Sequence, residues 1–357
     1  MSEEIAILPP FKEKFSQQNF GSVSLYIKDI NQISKFKKKI RVYVNISSKT
    51  FNGFKSVNVP KNVNHLLFGK NTGHTKSFLK VIKNKAPKIV EIHNRPKSAL
   101  EISKSLAETK IFLFYHNDPL SFKEYSSVKK RLQILDNCHL IFFVSDFLRK
   151  RFLEGLPKNK FSKSKLIIMY NGIKPIKQVP FKNKKLNIVY VGELEKKKGF
   201  DIFLQSVTQI VDQFPNWKAH IFGKINYKFE NSLNKHDRVT FHNFKNNNYV
   251  QDFLKKSSIS VIPSVWNEPF GRTLIESINS GTATISSNKG GLREINKYFK
   301  TIILNKIDKK TIYIALKKLI MSSDERSYYS NNKVSKTPFT LKKITSTLDK
   351  HRSDIFS

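Results

Sequence analysis

Short apolar runs recur along the first half of the chain. They cover residues 5–8, 88–92, 111–115, 140–144 and 166–170, and residues 39–46 alternate between apolar and polar side chains. Runs of this length, separated by stretches with helical spacing such as residues 121–135, are typical of parallel strands covered on both faces. The pattern therefore predicts an α/β fold built on a parallel sheet.

The second half restarts the same alternation. A strand at 186–191 leads through a loop at 192–199 to a helix at 200–214, which Pro215 ends. Further strands are predicted at 218–222, 239–241, 259–262 and 282–286, and further helices at 249–255, 310–321 and 338–352. Prolines and repeated lysines in residues 175–185 indicate a linker. We therefore predict domains at 1–178 and 187–335, a linker at 179–186 and a terminal helix within 336–357.

Polar residues follow the apolar runs of the first half. His93, His116, Ser145 and Asn171 each close a run or follow it directly, and Asn117 comes after His116. Ligands of open parallel sheets bind at the carboxyl ends of strands, so these residues are candidates to line one cleft. Each of them alone is more often structural than functional. Their shared placement is what favours a functional role.

The stretch at 263–276 has the features of an anion site. A buried strand leads into a loop that ends at Gly271, and the apolar spacing after it predicts a helix from about Arg272. Free backbone N–H groups and the helix dipole attract anions at such a start. The loop at 192–199, with three lysines, and the Gly290-Gly291 pair add two further candidates. A lysine-rich surface turn is the alternative interpretation of the loop at 192–199.

Composition and missing motifs narrow the chemistry. The chain has 357 residues, a formal net charge of +38 and one cysteine, Cys138, which excludes a disulfide framework. Asp-x-Asp, zinc-type histidine spacing, Gly-x-Ser-x-Gly and Gly-Lys-Ser/Thr are all missing from the sequence. What remains is transfer from a diphosphate leaving group that lysines and helix dipoles stabilise. We therefore predict no metal and no cofactor.

Glu268 and Glu276 stand in the segment Glu-Pro-Phe-Gly-Arg-Thr-Leu-Ile-Glu. This segment resembles the paired-glutamate signature of retaining glycosyltransferases with the GT-B fold, the family 4 group (glycosyltransferase group 1). Pro263-Ser264, Gly281-Thr282, residues 290–294, and Val191-Gly192 with Lys198-Gly199 fit the same pattern. The resemblance is strong over residues 187–295 and weaker in the first half, through Gly21, His116 and Ser145. It implies two Rossmann-like domains that face each other across a cleft, with the terminal helix returning to the first.

The resemblance also implies residue roles. Glu268 would bind hydroxyls of the donor sugar, and His116 would lie near the reacting sugar and the acceptor. The implied donor-binding residues are Gly21, Lys198, Phe270, Gly271, Arg272, Thr273, Leu274 and Glu276, the last of which would hold the ribose. His93, Asn117 and Ser145 are candidates on the acceptor side. The family commonly has Arg where this chain has Glu193, which cannot neutralise a phosphate, so Arg272 or a nearby lysine would have to compensate.

The implied activity is metal-independent, retaining transfer of a hexose-type sugar from a nucleotide-sugar, with a UDP-sugar favoured, to a glycan or lipid-linked acceptor. Residues 93–96 are similar to bacterial envelope members, which implies lipopolysaccharide or other envelope polysaccharide synthesis. A basic nucleic-acid-binding protein is the alternative that charge alone favours, but arginine-rich helices and zinc spacing are missing. A nucleotide-sugar epimerase of the same fold is another.

The location is a further expectation. The acidic start Met-Ser-Glu-Glu predicts no signal peptide, and no apolar stretch has the length of a membrane span. The positive charge suits an anionic membrane surface. We therefore expect a cytoplasmic protein, peripheral on the inner face of the cytoplasmic membrane, and no specific nucleic-acid partner.

Overall fold

A computed structural model describes residues 2–17, 20–45, 49–157, 161–224 and 236–357. The chain divides into two compact units. The first holds residues 1–172 and 338–357, and the second holds residues 173–337. The predicted strand end at Ile46 lies outside the described residues. None of the described helices is long and apolar enough to cross a membrane.

Within the described residues, the first unit has a seven-stranded parallel sheet. Its strands are β1 (Ser2–Leu8), β2 (Ile40–Val44), β3 (Lys55–Asn58), β4 (Pro87–His93), β5 (Lys110–Tyr115), β6 (Leu140–Phe143) and β7 (Leu166–Ile168). Their order in the sheet is β3-β2-β1-β4-β5-β6-β7. The order reverses between β1 and β4, which is the topological switch point of a doubly wound sheet.

Helices cover this sheet and bury its apolar strands. They are α1 (Ser22–Gln32), α2 (Val63–Leu67), α3 (Lys70–Ile82), α4 (Pro96–Ser105), α5 (Val128–Asn137), α6 (Asp146–Leu153) and the C-terminal helix (Leu341–Phe356). The α1 and C-terminal helices share one core with Ile5, Phe114 and Phe142. The rings of Phe114 and Phe142 stack with centroids 4.5 Å apart. The bulky strand residues therefore serve packing.

A buried ion pair connects the C-terminal helix to the middle of the first sheet. Arg352 and Glu91, on β4, are both fully buried, and two of the Arg352 nitrogens lie 2.8 Å from the two Glu91 carboxylate oxygens. Arg352 also donates to Asn31 Oδ1 at 2.7 Å and to Ser34 Oγ at 3.0 Å. Two parallel N–H to oxygen bonds hold the guanidinium in one orientation. The last helix is thus part of the first unit.

The second unit repeats the doubly wound arrangement with six described strands. They are β8 (Lys185–Val191), β9 (Lys218–Phe222), β10 (Val239–Phe241), β11 (Ser257–Ile262), β12 (Ala283–Ser287) and β13 (Ile302–Leu304). Their order is β10-β9-β8-β11-β12-β13, and the described pairings are parallel. The switch point lies between β8 and β11. The predicted pair of Rossmann-like units is therefore confirmed.

The helices of the second unit include the element predicted to follow Gly271. They are α7 (Phe200–Gln213), α8 (Asn247–Lys255), α9 (Arg272–Asn279), α10 (Leu292–Asn296), α11 (Lys309–Met321) and α12 (Ser323–Ser330). Leu274, Ile275 and Ile278 of α9 are all buried, as their spacing predicts. Near the predicted linker, Gln178 donates to backbone carbonyls of Ile278 and other residues of this unit.

Candidate active site

Two loops meet at the switch point of the second unit. One follows β8 and ends at Gly199, and the other follows β11 and runs to Gly271. Gly199 has φ +68°, and a Cβ at this position would overlap the carbonyl oxygen of Pro263. The amides of Val265 and Trp266 both donate to the carbonyl of Lys197, at 3.0 and 3.2 Å. Only glycine fits this crossing, so it brings the lysines of the first loop beside the carboxylate of the second.

A lysine and two oxygen-bearing side chains form the centre of this site. The Nζ of Lys198 lies 2.8 and 3.0 Å from the two carboxylate oxygens of Glu268. Ser264 Oγ donates to Glu268 Oε1 at 2.5 Å. The resemblance implies that Lys198 binds the phosphates and that Glu268 binds the sugar. The structure places the two side chains in contact. Any phosphate that recruits Lys198 must therefore share it with Glu268.

The Gly290-Gly291 pair fixes the backbone of Glu268. The amide of Gly291 donates to the carbonyl of Glu268 at 2.7 Å. Gly290 has φ +57°, and a Cβ on it would overlap that same carbonyl oxygen. The pair, which the sequence suggests as an anion loop, thus packs against the loop that presents Glu268.

Helix α9 carries the second glutamate. Gly271 precedes the helix with φ +110°, and a Cβ there would overlap Leu292. Arg272 Nε donates to Glu276 Oε1 at 2.7 Å, one helical turn along. Phe270 and Leu274 have buried side chains, so only their backbone can meet a ligand, whereas Thr273 is partly exposed. Glu276 is buried in the second turn of α9.

Two histidines meet at the carboxyl ends of β4 and β5 in the first unit. His93 Nδ1 and His116 Nε2 lie 2.9 Å apart, and both rings are buried. Asn94 has φ +54°, and its Oδ1 accepts from the amides of His116 and Asn117 at 2.8 and 3.2 Å. Burial lowers the pKa of His116 to about 3. Both imidazoles are therefore neutral at neutral pH, and one ring nitrogen donates a hydrogen bond to the other.

Gly21 and Ser145 lie at helix starts in the first unit. Ser145 is fully buried, and its Oγ accepts from the amide of Leu148 at 3.1 Å as the N-cap of α6. Gly21 caps α1, where a Cβ would overlap the carboxylate of Glu13, which accepts from the amide of Ser24 at 3.3 Å. The chain's own carboxylate thus lies at the helix start that the resemblance assigned to the diphosphate. The ligand roles of Gly21 and Ser145 stay predictions.

A family model described as glycosyl transferases group 1 matches residues 173–335. The second unit is a group 1 glycosyltransferase domain. Its boundaries agree with those of the compact unit at 173–337, and its switch-point loops carry the two glutamates and Lys198. The resemblance read from the sequence is thereby confirmed at the level of the group.

The curated relatives are distant and match part of their length. The chain is 24% identical to the putative glycosyltransferase YtcC of Bacillus subtilis over 59% of this chain and 58% of YtcC. It is 25% identical to spore coat protein SA of the same organism, over 58% of this chain and 61% of that protein. The match thus spans less than two thirds of either relative. A protein from the cps region of Klebsiella pneumoniae is 27% identical over 44% of this chain and 41% of its own length.

Solved structures share the fold, and three of them cover 98% or 99% of this chain. Sucrose-phosphate synthase from Thermosynechococcus elongatus has a TM-score of 0.79 at 14% identity and 99% coverage of both chains. HepE of Anabaena, in complex with UDP and glucose, has a TM-score of 0.75 at 14% identity, covering 99% of this chain and 100% of its own. WaaG, a glycosyltransferase involved in lipopolysaccharide biosynthesis, has a TM-score of 0.72 at 14% identity, covering 98% and 99%. The two units of the chain therefore have the GT-B fold, as predicted.

Glu193 lies in the loop between β8 and α7 of the group 1 domain. Its carboxylate is largely exposed and lies 3.6 Å from Lys197 Nζ, which is 2.7 Å from Glu195. The hydrogen bond that Lys197 donates to the Glu195 carboxylate raises the pKa of Lys197 against the effect of burial. The positive charge of Lys197 is therefore shared by two glutamates. Arg272 is bonded to Glu276, and Lys198 is bonded to Glu268. These two cations, which are the candidates to compensate for Glu193, thus each have a carboxylate partner already.

Two residues near these sites were not singled out by their sequence pattern. The Trp266 ring lies 4.9 Å from Lys198 Nζ, a cation–π distance that helps to fix the lysine. Asn94 orients both His116 and Asn117 through one side-chain oxygen. Asparagine is one of the few residues that tolerate positive φ. Its position directly after a predicted strand could therefore have marked Asn94 as a residue that shapes the loop. Trp266 could have been found because it is an aromatic residue inside the stretch at 263–276.

We expect Gly290→Ala in the group 1 domain to destabilise the protein and to disturb Glu268. The added Cβ combines positive-φ strain with overlap of the Glu268 carbonyl, so a loss of roughly 2 to 4 kcal/mol is expected, against about 1 kcal/mol for strain alone. Thermal unfolding and donor binding measure the two effects. Gly69→Ala is the matched control, because Gly69 has φ +77° and open space around it. Equal losses in the two variants would contradict the overlap argument.

The His93–His116 pair predicts a pH dependence of stability. An unfolded histidine takes up a proton near its ordinary pKa of 6.5, whereas folded His116 stays neutral down to about 3. The unfolded chain then binds more protons in this window, so stability falls as the pH falls through it. His116→Gln should reduce the slope by up to about 1.4 kcal/mol per pH unit. Urea unfolding at about pH 6 and about pH 4.5 measures it, and an unchanged slope would contradict the assignment.

Proposed function

We propose that the protein is a retaining, metal-independent glycosyltransferase. It moves a hexose-type sugar from a nucleoside diphosphate donor to a glycan or lipid-linked acceptor of a bacterial envelope polysaccharide. The observation that carries the proposal is the cluster of Lys198, Glu268 and Ser264 at the switch point of the group 1 domain. A cation suits a diphosphate, and a buried carboxylate suits sugar hydroxyls that need hydrogen-bond acceptors.

The chemistry proposed for this site needs two things from the chain. The bond between the anomeric carbon and the phosphate oxygen breaks with its electron pair leaving on the diphosphate, so positive charge must stabilise that oxygen. Lys198 and the start of α9 supply it. The acceptor hydroxyl forms the new bond on the face that the diphosphate leaves, and its proton goes to the departing phosphate oxygen. A protein base is not required by this balance.

Glu268 and Glu276 divide the donor between them in this proposal. The Glu268 carboxylate, already bonded to Lys198 and Ser264, can still accept from sugar hydroxyls through its remaining lone pairs. Glu276 would accept from the ribose hydroxyls, with Arg272 keeping its carboxylate in place. In the first unit, neutral His116 would offer a hydrogen bond to the reacting sugar or acceptor.

The names of similar structures support a choice of donor and acceptor. HepE was crystallised with UDP and glucose and with UDP-glucose, so a UDP-sugar is our first candidate for the donor. WaaG takes part in lipopolysaccharide biosynthesis, and a Klebsiella pneumoniae relative lies in a cps region. These contexts support an envelope glycan as acceptor. We propose that the protein acts at the inner face of the cytoplasmic membrane, because its formal net charge of +38 suits an anionic surface.

A panel of UDP-, GDP- and ADP-sugars tests the proposal by thermal shift, with and without EDTA. A donor that binds the folded protein stabilises it, by about 2.7 kcal/mol at a hundred times its Kd. We expect one donor class to raise Tm in both conditions, and Glu276→Ala to weaken nucleotide binding about tenfold. Glu325→Ala is the control, because Glu325 also pairs with a cation on a helix. The proposal fails if the protein neither binds nor turns over any donor of the panel, and if Glu276→Ala leaves nucleotide binding unchanged.

A further inference from the structure

Helix α2 presents large apolar side chains to solvent. The exposed fractions are 60% for Val63, 87% for Leu66, 69% for Leu67 and 48% for Phe68. Positions 63, 66 and 67 lie on one side of a helix, so with Phe68 they form one continuous surface, which we call the α2 ridge. Single exposed apolar residues are ordinary, but a contiguous group marks an interaction surface.

The opposite side of α2 is attached to the body of the first unit. The His65 ring packs on Phe11 with centroids 5.3 Å apart and lies 6.4 Å from the ring of His74. His65 Nδ1 also accepts from the amide of Asn62 at 3.1 Å. The imidazole therefore faces inward and the leucines face outward. A helix that only completed the fold would place these residues the other way round.

Positive charge surrounds the ridge. Lys76 Nζ lies 3.1 Å from the centre of the Phe68 ring. Phe68 is also part of the wall of a cavity of 340 Å³, which we call the basic pocket. Four cations line this pocket, Lys70, Arg95, Lys97 and Lys123, against one carboxylate, Glu124. Phe68 thus belongs both to the α2 ridge and to the wall of the basic pocket. The apolar ridge and the cationic pocket therefore form one continuous surface.

The basic cluster at Lys35–Lys39 is a weaker candidate for the same kind of contact. Its one aromatic residue, Phe36, is buried and stacks on Phe356 at 5.3 Å. Lys39 is held over the Phe356 ring and by an ion pair to Glu3. This cluster therefore presents charge without an outward apolar side chain, which is typical of a solvated surface.

We propose that the α2 ridge and the basic pocket dock the first unit onto an anionic phospholipid bilayer. Leu66, Leu67 and Phe68 enter the boundary between headgroups and acyl chains, while Lys70 and Lys76 bind lipid phosphates and the basic pocket holds a headgroup. Apolar insertion beside cations is the combination that anionic membranes select. The excess of cations over carboxylates around the ridge favours a bilayer as the occupant. The inference rests on the proposed function in one respect, that the acceptor is lipid-linked.

Vesicle flotation tests the proposal with the full chain. Vesicles of phosphatidylcholine alone are compared with vesicles that contain about 30% phosphatidylglycerol. We expect the wild-type protein to float with the anionic vesicles, and Leu66→Ser with Leu67→Ser to lower the partition coefficient at least about tenfold. Lys97→Ala with Lys123→Ala should lower it about tenfold at low salt and much less at high salt.

The matched control is Ile314→Ser with Met321→Ser on helix α11. These residues are 55% and 69% exposed and lie outside the ridge, so vesicle binding should equal that of the wild type. Equal losses in ridge and control variants, or no binding of the wild type to anionic vesicles, would overturn the proposal. So would a wild-type dimer that the ridge variant converts to a monomer, because the ridge would then serve a second copy of the chain.

Donor binding by the same variants separates this inference from the proposed function. The ridge variant should retain its thermal shift with the nucleotide-sugar, because its substitutions lie in the first unit and the group 1 domain is unchanged. If the wild-type protein binds the donor but not the anionic vesicles, only the proposed membrane-binding surface is disproved. If the wild-type protein binds the anionic vesicles but no donor, only the proposed glycosyl transfer is disproved.

Discussion

We expect Glu268→Gln to lower kcat/KM for sugar transfer by about 10²- to 10³-fold while nucleoside diphosphate binding is retained. Removing one hydrogen-bonding group that acts on the transition state costs about this much, and Glu268 is proposed to act there through the sugar hydroxyls. The amide keeps the size of the side chain but removes the charge that pairs with Lys198 at 2.8 Å. Lys198 then loses its carboxylate partner and is released to the phosphates, so binding of the diphosphate should equal or exceed that of the wild type.

Two measurements separate these effects. Isothermal titration with the nucleoside diphosphate reports the phosphate contact, and single-turnover transfer from the preferred donor reports the sugar step. Glu193→Gln is the matched control, because it removes a carboxylate from the neighbouring loop that pairs with Lys197 at 3.6 Å and is largely exposed. A surface pair of this kind contributes less than about 1 kcal/mol. If Glu268→Gln transfers sugar as fast as Glu193→Gln does, Glu268 has no role in transfer.

The residues of the candidate site could be predicted from the sequence more readily than their contacts. Glu268, Glu276 and Lys198 stand in recognisable segments, and apolar spacing predicted both the strand before Glu268 and the helix that carries Glu276. The contact between Lys198 and Glu268 joins residues 70 positions apart. It depends on β8 lying beside β11 and on the positive φ of Gly199. Sheet order and loop conformation are set by packing of the whole unit, which local pattern does not report.

The elements that the pattern missed have identifiable causes. Strand β3 has the sequence Lys-Ser-Val-Asn and lies at the sheet edge, so it carries no apolar run. Helix α2 presents its apolar side outward, so its hydrophobic positions do not mark a core. The predicted helix at 121–135 begins only at Val128, because Ser127 caps it by accepting from the amide of Lys130 at 3.3 Å. Edge strands, outward-facing helices and capping residues follow rules other than burial.

Long-range polar contacts inside the first unit were not predictable at all. Glu91 looks like an interruption in an apolar strand run, and Arg352 like one charge among many near the end of a basic chain. The structure places them together although 261 positions separate them. Nothing in the spacing of either residue reports the partner. Complete burial of both is what makes the pair energetically important.

Replacing Arg352 with Met should therefore strongly destabilise the first unit. It leaves the Glu91 carboxylate fully buried without its cation, and breaking a buried pair from one side costs about 3 to 5 kcal/mol. Asn31, Ser34 and the buried carboxylate of Asp349, whose Oδ1 lies 3.2 Å from Arg352 Nη1, lose a donor in the same step. Urea unfolding followed by fluorescence measures the loss, which should appear in the transition of the first unit, with the group 1 domain unfolding as in the wild type.

Two controls decide whether the cost arises from the unpaired charge. Arg149→Met removes a partly exposed arginine paired with Asp146 at 2.6 Å, and a loss below about 1 kcal/mol is expected. The double variant Arg352→Met with Glu91→Gln removes the Glu91 charge and leaves that of Asp349, so it should be more stable than Arg352→Met alone by about 1 to 3 kcal/mol. If the double variant is the less stable of the two, packing of the guanidinium and not its charge holds the C-terminal helix on the first sheet.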